Sequence, residues 1–168
     1  MPETLVSPAI ESIARAKSAV ISSRDLLLST FSYVPDDKLH WSPSPSARTP
    51  LQIAAHCGGA NATFATLLRG EPWPLASTAK EAAAQIYARD AATDISRDDA
   101  AKLIEASSAA LIAALENATP ATLETMIWTA FGEFPYDFAM TFPAGHMAGH
   151  ARQIDYLQTI WGDREDHN

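Results

Sequence analysis

Apolar residues in this chain recur at intervals of three, four and seven, the rhythm of a helix that buries one face. Ser7-Pro8 sets a capping hydroxyl before a proline whose missing N–H costs nothing at the first helical position. Ile10, Ile13, Val20, Leu27, Leu28 and Phe31 then keep the period, which predicts a first helix ending near 31–34, before Pro35. Thr49-Pro50 repeats the start signal and predicts a second helix to Leu68, with Gly70 as its stop. Ser96 with Asp99 reads as a capping box ahead of a third long helix over 97–117. Its apolar stripe is read as Leu103, Ala106, Ala110, Leu111, Ala114 and Leu115. The last helix is expected over about 135–161, where Pro143 either kinks it or marks its true start. Four such stripes can be buried against one another, so the expected class is all-α, a four-helix bundle.

The connections are long. Prolines at alternate positions keep 35–48 out of a helix. Pro72-Trp73-Pro74 is a turn, and Thr78 can cap a short, weakly amphipathic helix over 79–89. Between 119 and 135, segments 126–129 and 131–134 read as two short extended pieces or as an aromatic lid, and strand signals are too few for a sheet. Trp41, Trp73, Trp128 and Phe131 all fall in these connections. They can cap the core ends or wall an apolar pocket. The charged tail, 163–168, is expected to fray and its His167 to be solvated. No repeat or second domain is visible, so residues 1–168 are expected to form a single domain, long enough for a sizeable core.

Charge narrows the partners. Twelve Lys and Arg against twenty Asp and Glu give a net charge of −8. No basic stripe is available to neutralise phosphates, which disfavours nucleic acid and anionic membrane surfaces. No run approaches the ~20 apolar residues needed to span a bilayer, and no basic-then-apolar leader is seen at the start. The expected location is the cytoplasm. The single cysteine, Cys57, excludes an internal disulfide and reads as a buried structural thiol.

Three of the five histidines stand out. His146 and His150 lie four apart and share a helix face, so both imidazoles can reach one metal ion. His56 sits mid-helix among small residues and can face inward. Two helices would then supply three nitrogens and leave open coordination positions, although each histidine alone also reads as an ordinary core or surface residue. A di-iron carboxylate bundle is excluded because it needs Glu-x-x-His on two helices. A His-Glu-x-x-His peptidase is excluded because Met147 follows His146. No Cys-x-x-Cys exists. Three neutral nitrogens without an adjacent carboxylate base suit activation of a bound thiol at least as well as amide hydrolysis, because a free thiol already titrates near ~8.5.

The stretch His146-Met147-Ala148-Gly149-His150-Ala151-Arg152-Gln153-Ile154-Asp155-Tyr156-Leu157 carries a resemblance, together with Thr49-Pro50-Leu51-Gln52-Ile53-Ala54-Ala55-His56 after Trp41-Ser42-Pro43. The chain resembles the DinB superfamily, which includes DinB/YfiT-like proteins, over nearly its whole length. The resemblance implies a four-helix bundle whose second helix gives one histidine and whose fourth gives a His-x-x-x-His pair to a divalent metal. His56, His146 and His150 occupy those positions. Characterised members are metal-dependent S-transferases that join a low-molecular-weight thiol such as bacillithiol or mycothiol to an electrophile; others are described as metal-dependent hydrolases. A metal-binding stress-related protein without turnover is the non-enzymatic alternative. The ion is left open among zinc, nickel, iron and manganese, and a homodimer is compatible with exposed bundle faces.

Four further residues are candidates for orienting a ligand or touching substrate. Gln52 shares the face of His56, as does Thr63. Gln153 shares the face of His146. Arg24 lies on the first helix's apolar stripe, where it can reach inward to an anionic group or Asp155, or else snorkel to solvent. His40, in the first loop, can approach the bundle mouth.

Overall fold

The computed structural model describes residues 7–165 and 167. Its elements are α1 (Pro8–Ser32), α2 (Pro50–Leu68), α3 (Ala79–Ala91), α4 (Arg97–Glu116), α5 (Pro120–Leu123), β1 (Met126–Thr129), β2 (Gly132–Pro135), α6 (Tyr136–Ala139) and α7 (Phe142–Ile160). A short 3-10 turn, Asp36–Lys38, follows α1. The fold is a mostly helical bundle of α1, α2, α4 and α7, and its one pair of strands among the described residues is the β1–β2 hairpin.

The start signals at Thr49, Thr78 and Ser96 work as capping chemistry, whereas the expected cap at Ser7 is not made: its side chain bonds no backbone N–H of α1. Thr49 Oγ1 accepts from the Gln52 N–H, and Gln52 Oε1 accepts from the Thr49 N–H, closing a full box. Thr78 caps α3 through the Glu81 N–H. Ser96 caps α4 through the Asp99 N–H, but Asp99 takes the Ser96 hydroxyl instead of reaching back to its N–H. An aspartate is one methylene shorter than the glutamate of a full box. Pro143 marks a true start, because α7 begins at Phe142 after the separate turn of α6. Gly70 follows the end of α2 with φ +79°, a conformation that costs glycine little.

Around the bundle the packed neighbours run α1, α4, α2, α7 and back to α1. Helices α1 and α2 are therefore diagonal, as are α4 and α7, and each diagonal step requires a long connection. Arg97, opening α4, ties down the end of α1 by donating to the carbonyls of Phe31 and Val34 and pairing with Asp36 at 2.8 Å. The second long connection is anchored by Tyr136, whose buried hydroxyl donates to the Leu68 carbonyl at 3.0 Å. This seats the hairpin over the end of α2. Helix α3 packs outside the ring, on α2.

Three expectations are corrected. Ile10 is exposed, so the buried stripe of α1 begins at Ile13. On α4 the buried face is Ala100, Ile104, Ser107, Ser108, Leu111, Ala114 and Leu115, whereas Ala106 is exposed and Leu103, partly exposed, lies at the edge against Gly58 of α2. Two buried serines hid that register from an apolar reading. The tail is docked as far as it is described: His167 is buried, stacks on Tyr33 at 4.1 Å, pairs with Asp163 at 2.8 Å and accepts from Ser29 Oγ through its carbonyl. Residues 166 and 168 lie outside the described residues, as do 1–6. No described helix is long and apolar enough to cross a membrane.

Helix α4 packs tightly on α2 at Gly58, where an added Cβ would stand 2.5 Å from Leu103 Cγ. Gly145, by contrast, has open space around it inside α7. Gly58→Ala is expected to destabilise the bundle by ~1–3 kcal/mol through overpacking. Gly145→Ala is expected to stabilise it by ~0.5–1 kcal/mol by removing backbone freedom from the unfolded chain. Urea denaturation of the two variants reads this difference; effects of the same sign would contradict the packing described.

Candidate metal centre

Helices α2 and α7 are neighbours in the ring, and that contact brings the three histidines together. His56 projects from the middle of α2, and His146 and His150 share one face of α7. Their ligand atoms all lie within 4.8 Å of one another. His56 Nε2 is 3.1 Å from His146 Nε2, and His150 Nε2 is 3.2 Å from the same atom. Two nitrogens bound at ~2.0–2.1 Å to one tetrahedral ion stand about 3.3 Å apart, so the spacing fits a shared ion.

The outward nitrogens decide what the inner ones carry. His150 Nδ1 faces Gln153 Oε1 at 2.7 Å, and His56 Nδ1 lies 2.9 Å from Asp90 Oδ2. Gln153 Oε1 is an acceptor and Asp90 a carboxylate, which favours the proton on both Nδ1 atoms and lone pairs on both Nε2 atoms, although His56 Nδ1 stands beside Asp90 without hydrogen-bond alignment. These two lone pairs converge on His146 Nε2, which has at most one proton to share. A cation between the three satisfies all of them. Burial, followed by the neighbouring charges, pushes His146 down to about 3; burial and His56 push His150 down to about 4. At neutral pH both rings are therefore uncharged and available as ligands. His146 Nδ1 is buried without a partner, and its ring is set by packing against Phe64 at 6.0 Å.

Behind His56 stands a carboxylate that no spacing in the sequence revealed. Asp90, at the end of α3, is buried and receives Arg48 Nε at 2.8 Å and Nη2 at 2.7 Å on the same Oδ2 that meets His56. Burial pushes the Asp90 carboxyl up, but the pairing with His56 and Arg48 outweighs it and holds the group below its ordinary range. Arg48 also lies over the Tyr87 ring at 4.9 Å. Asp90 thus plays the outer-carboxylate part that orients a ligating histidine. The expectation of a centre without an adjacent carboxylate is corrected, although Asp90 lies on the Nδ1 side of His56, away from the converging nitrogens. In sequence, Arg89-Asp90 reads as the solvated end of a weak helix.

The open side of the cluster meets a cavity of about 300 Å3 whose lining includes His56, His146, Phe64, Trp73, Phe131, Phe134 and Phe142. Among the described residues no carboxylate lines it. A second cavity, about 490 Å3, is lined by Gln153 and Arg48, the partners of His150 and Asp90, but by none of the three histidines.

A family model described as the DinB superfamily matches residues 19–154, spanning all three histidines. The chain belongs to the DinB superfamily. The structure of a DinB-like protein, YjoA, from Bacillus subtilis superposes with a TM-score of 0.64 at 14% identity, covering 90% of this chain and 94% of that one. This likeness bears on the fold alone. No protein of curated description matches the chain.

The other candidates of this DinB chain separate clearly. Gln153 reaches a histidine, though on its own turn of α7: it meets His150, not His146. Gln52 spends its side chain closing the cap of α2, and Thr63 donates to the Gly59 carbonyl beside the apolar cavity. Arg24 pairs with Asp25 at 2.7 Å and not with Asp155. His40 is exposed and stands apart from the cluster. Cys57, next to His56, is buried, and burial pushes its thiol up, away from reactivity. One buried polar contact also escaped the apolar pattern: Asn61 donates to Ser108 Oγ at 3.3 Å and approaches Met147 Sδ at 3.1 Å, joining α2, α4 and α7 beside His146.

Asp90→Asn tests the outer carboxylate. The change keeps shape but removes the charge that orients the His56 ring, and metal affinity is expected to fall about 10–100-fold while the helical fold is kept. Competition against a chromogenic chelator measures this. Unchanged affinity would mean that Asp90 serves only to hold Arg48.

Proposed function

We propose that this DinB protein is a metal-dependent S-transferase that joins a low-molecular-weight thiol to an electrophilic small molecule. The observation that carries this reading is the open face of the histidine cluster: it gives onto an aromatic cavity with no carboxylate in its lining. Water attack needs a base beside the nucleophile to take its proton, and none is placed there. A thiol needs less help, because its free pKa of ~8.5 is already near neutrality. The divalent ion, when bound, supplies Lewis acidity that lowers the pKa of a coordinating thiol or water.

The chain's own residues do the remaining work. His56, His146 and His150 hold the ion through neutral nitrogens, and Asp90 and Gln153 fix two of those rings. The aromatic walls exclude water and favour an apolar electrophile. The second cavity, beside Gln153 and Arg48, offers polar room for the thiol's body. In the reaction the thiol proton leaves to solvent, the sulfur electron pair forms the new C–S bond, and the leaving group departs with the pair of the bond it breaks.

A hydrolase on the same centre is the second reading, since the same ion would also acidify water. A metal-holding protein without turnover is the third. Protein loaded separately with zinc, nickel, iron or manganese, and given monobromobimane with a panel of cellular thiols, distinguishes them. Metal-dependent thiol consumption with release of bromide, at least about tenfold above the uncatalysed rate and lost in His150→Ala, is expected; tenfold corresponds to ~1.4 kcal/mol of barrier. Cleavage of a nitrophenyl ester without thiol would favour the hydrolase. Silence with every thiol and ester at full metal occupancy would contradict both enzymatic readings.

A further inference from the structure

The lining of the aromatic cavity includes one permanently charged side chain, Arg89. It leaves α3 one turn after Ile86, which lines the same cavity. Its guanidinium lies flat against α2 at Gly59: a Cβ there would stand 2.8 Å from Arg89 Cζ and 2.9 Å from Nη1. Only a glycine lets the guanidinium approach the helix so closely. Gly59 is three residues after His56, a rise of about 4.5 Å along α2. The cation is thus held at the cavity edge, close to the histidine cluster.

This charge is only partly met inside the protein: Arg89 Nε pairs with Asp90 Oδ1 at 3.6 Å, an ion-pair distance beyond hydrogen-bond reach, and the side chain stays 42% exposed. The other oxygen of Asp90 already receives Arg48 twice and His56. Two arginines therefore face one carboxylate, and the local balance is positive in a chain of net charge −8. Across from Arg89 the walls are aromatic, with Trp73 and Phe131 edge to face at 5.9 Å and Phe134 against Phe142 at 5.1 Å.

We infer that the cavity takes a small amphipathic anion, with an aromatic or branched apolar body among the rings and one carboxylate or similar group on Arg89. Arg89 is then the specificity-determining residue of this subsite. The inference rests on the transferase reading only in making this molecule the electrophile. The apolar body lies toward the hairpin and the anionic head near the centre, so the reacting atom is a short reach from the charged group. A guanidinium matches a carboxylate through two parallel N–H bonds, which a neutral or cationic head cannot accept.

Calorimetric titration with three ligands of one body tests this without turnover: 2-naphthoate, 2-naphthalenemethanol and 2-naphthylmethylammonium. Each is titrated into metal-loaded and chelator-stripped protein, in the absence of thiol. Naphthoate is expected to bind about tenfold or more tighter than the alcohol, with the ammonium weakest; tenfold is ~1.4 kcal/mol. In Arg89→Gln the naphthoate and alcohol affinities should converge to within about twofold. Gly59→Ala should do the same with the fold intact, because its methyl meets only the movable end of Arg89. Equal binding of the three, no binding of any, or a naphthoate preference that survives either substitution would overturn the inference. So would a preference present only in metal-loaded protein, since the ion would then be the anchor. Charge-selective binding without any thiol turnover would leave this subsite standing while removing the transferase reading.

Discussion

Two imidazole lone pairs, fixed toward the same point, are the constraint on which the centre depends. The Asp90 carboxylate beside His56 and the Gln153 oxygen on His150 favour protons on the outward nitrogens, and the inner nitrogens face His146 across 3.1 and 3.2 Å. Neutral acceptors at that distance need a proton or a cation between them. One proton on His146 can serve only one of the two. The centre is thus preorganised for an ion by its tautomers as well as by its spacing.

The bundle makes this possible through its order. Because α1 and α2 are diagonal, α2 is free to lie against both α4 and α7, and the two ligand-bearing helices become neighbours. The long connections that follow from the diagonal steps are then put to use. Helix α3 hangs between α2 and α4 in sequence, packs outside α2, and brings Asp90 behind His56 and Arg89 beside the cavity. The hairpin after α5 brings Phe131 and Phe134 over the same cavity, tied down by the Tyr136 hydroxyl on Leu68. Two of the four long helices, α2 and α7, carry the three histidines, and the connecting elements shape what can approach them.

Much of this was legible in the chain itself, and for local reasons. Proline at the first helical position marks the starts of α1 and α2, although of the two preceding hydroxyls only that of Thr49 caps its helix, and an i, i+4 histidine pair shares a face wherever it lies on a helix. Gln153 was readable as a ligand's partner because its offset from the pair is also local. The features that escaped were long-range. Asp90 meets His56 only because α3 folds back on α2, and a lone acidic residue at a helix end carries no sign of that contact. Ser108 is buried where Asn61 donates to its hydroxyl, and Ser107 is buried with its hydroxyl on the Ile104 carbonyl, so the true face of α4 was masked from an apolar count. Gln52 shared a face with His56 as expected, but the nearer claim of its own helix cap decided its role.

The central claim is that three histidines from α2 and α7 hold one divalent ion. Metal analysis of the purified protein, after loading with zinc, nickel, iron and manganese in turn and exhaustive dialysis, tests it most directly. The account predicts about one equivalent of ion per chain, consistent with one three-nitrogen centre, and its loss in His146→Ala, because His146 is the nitrogen common to both close pairs. Full retention of the ion in His146→Ala, or no stoichiometric binding of any of the four ions by the unaltered chain, would contradict it.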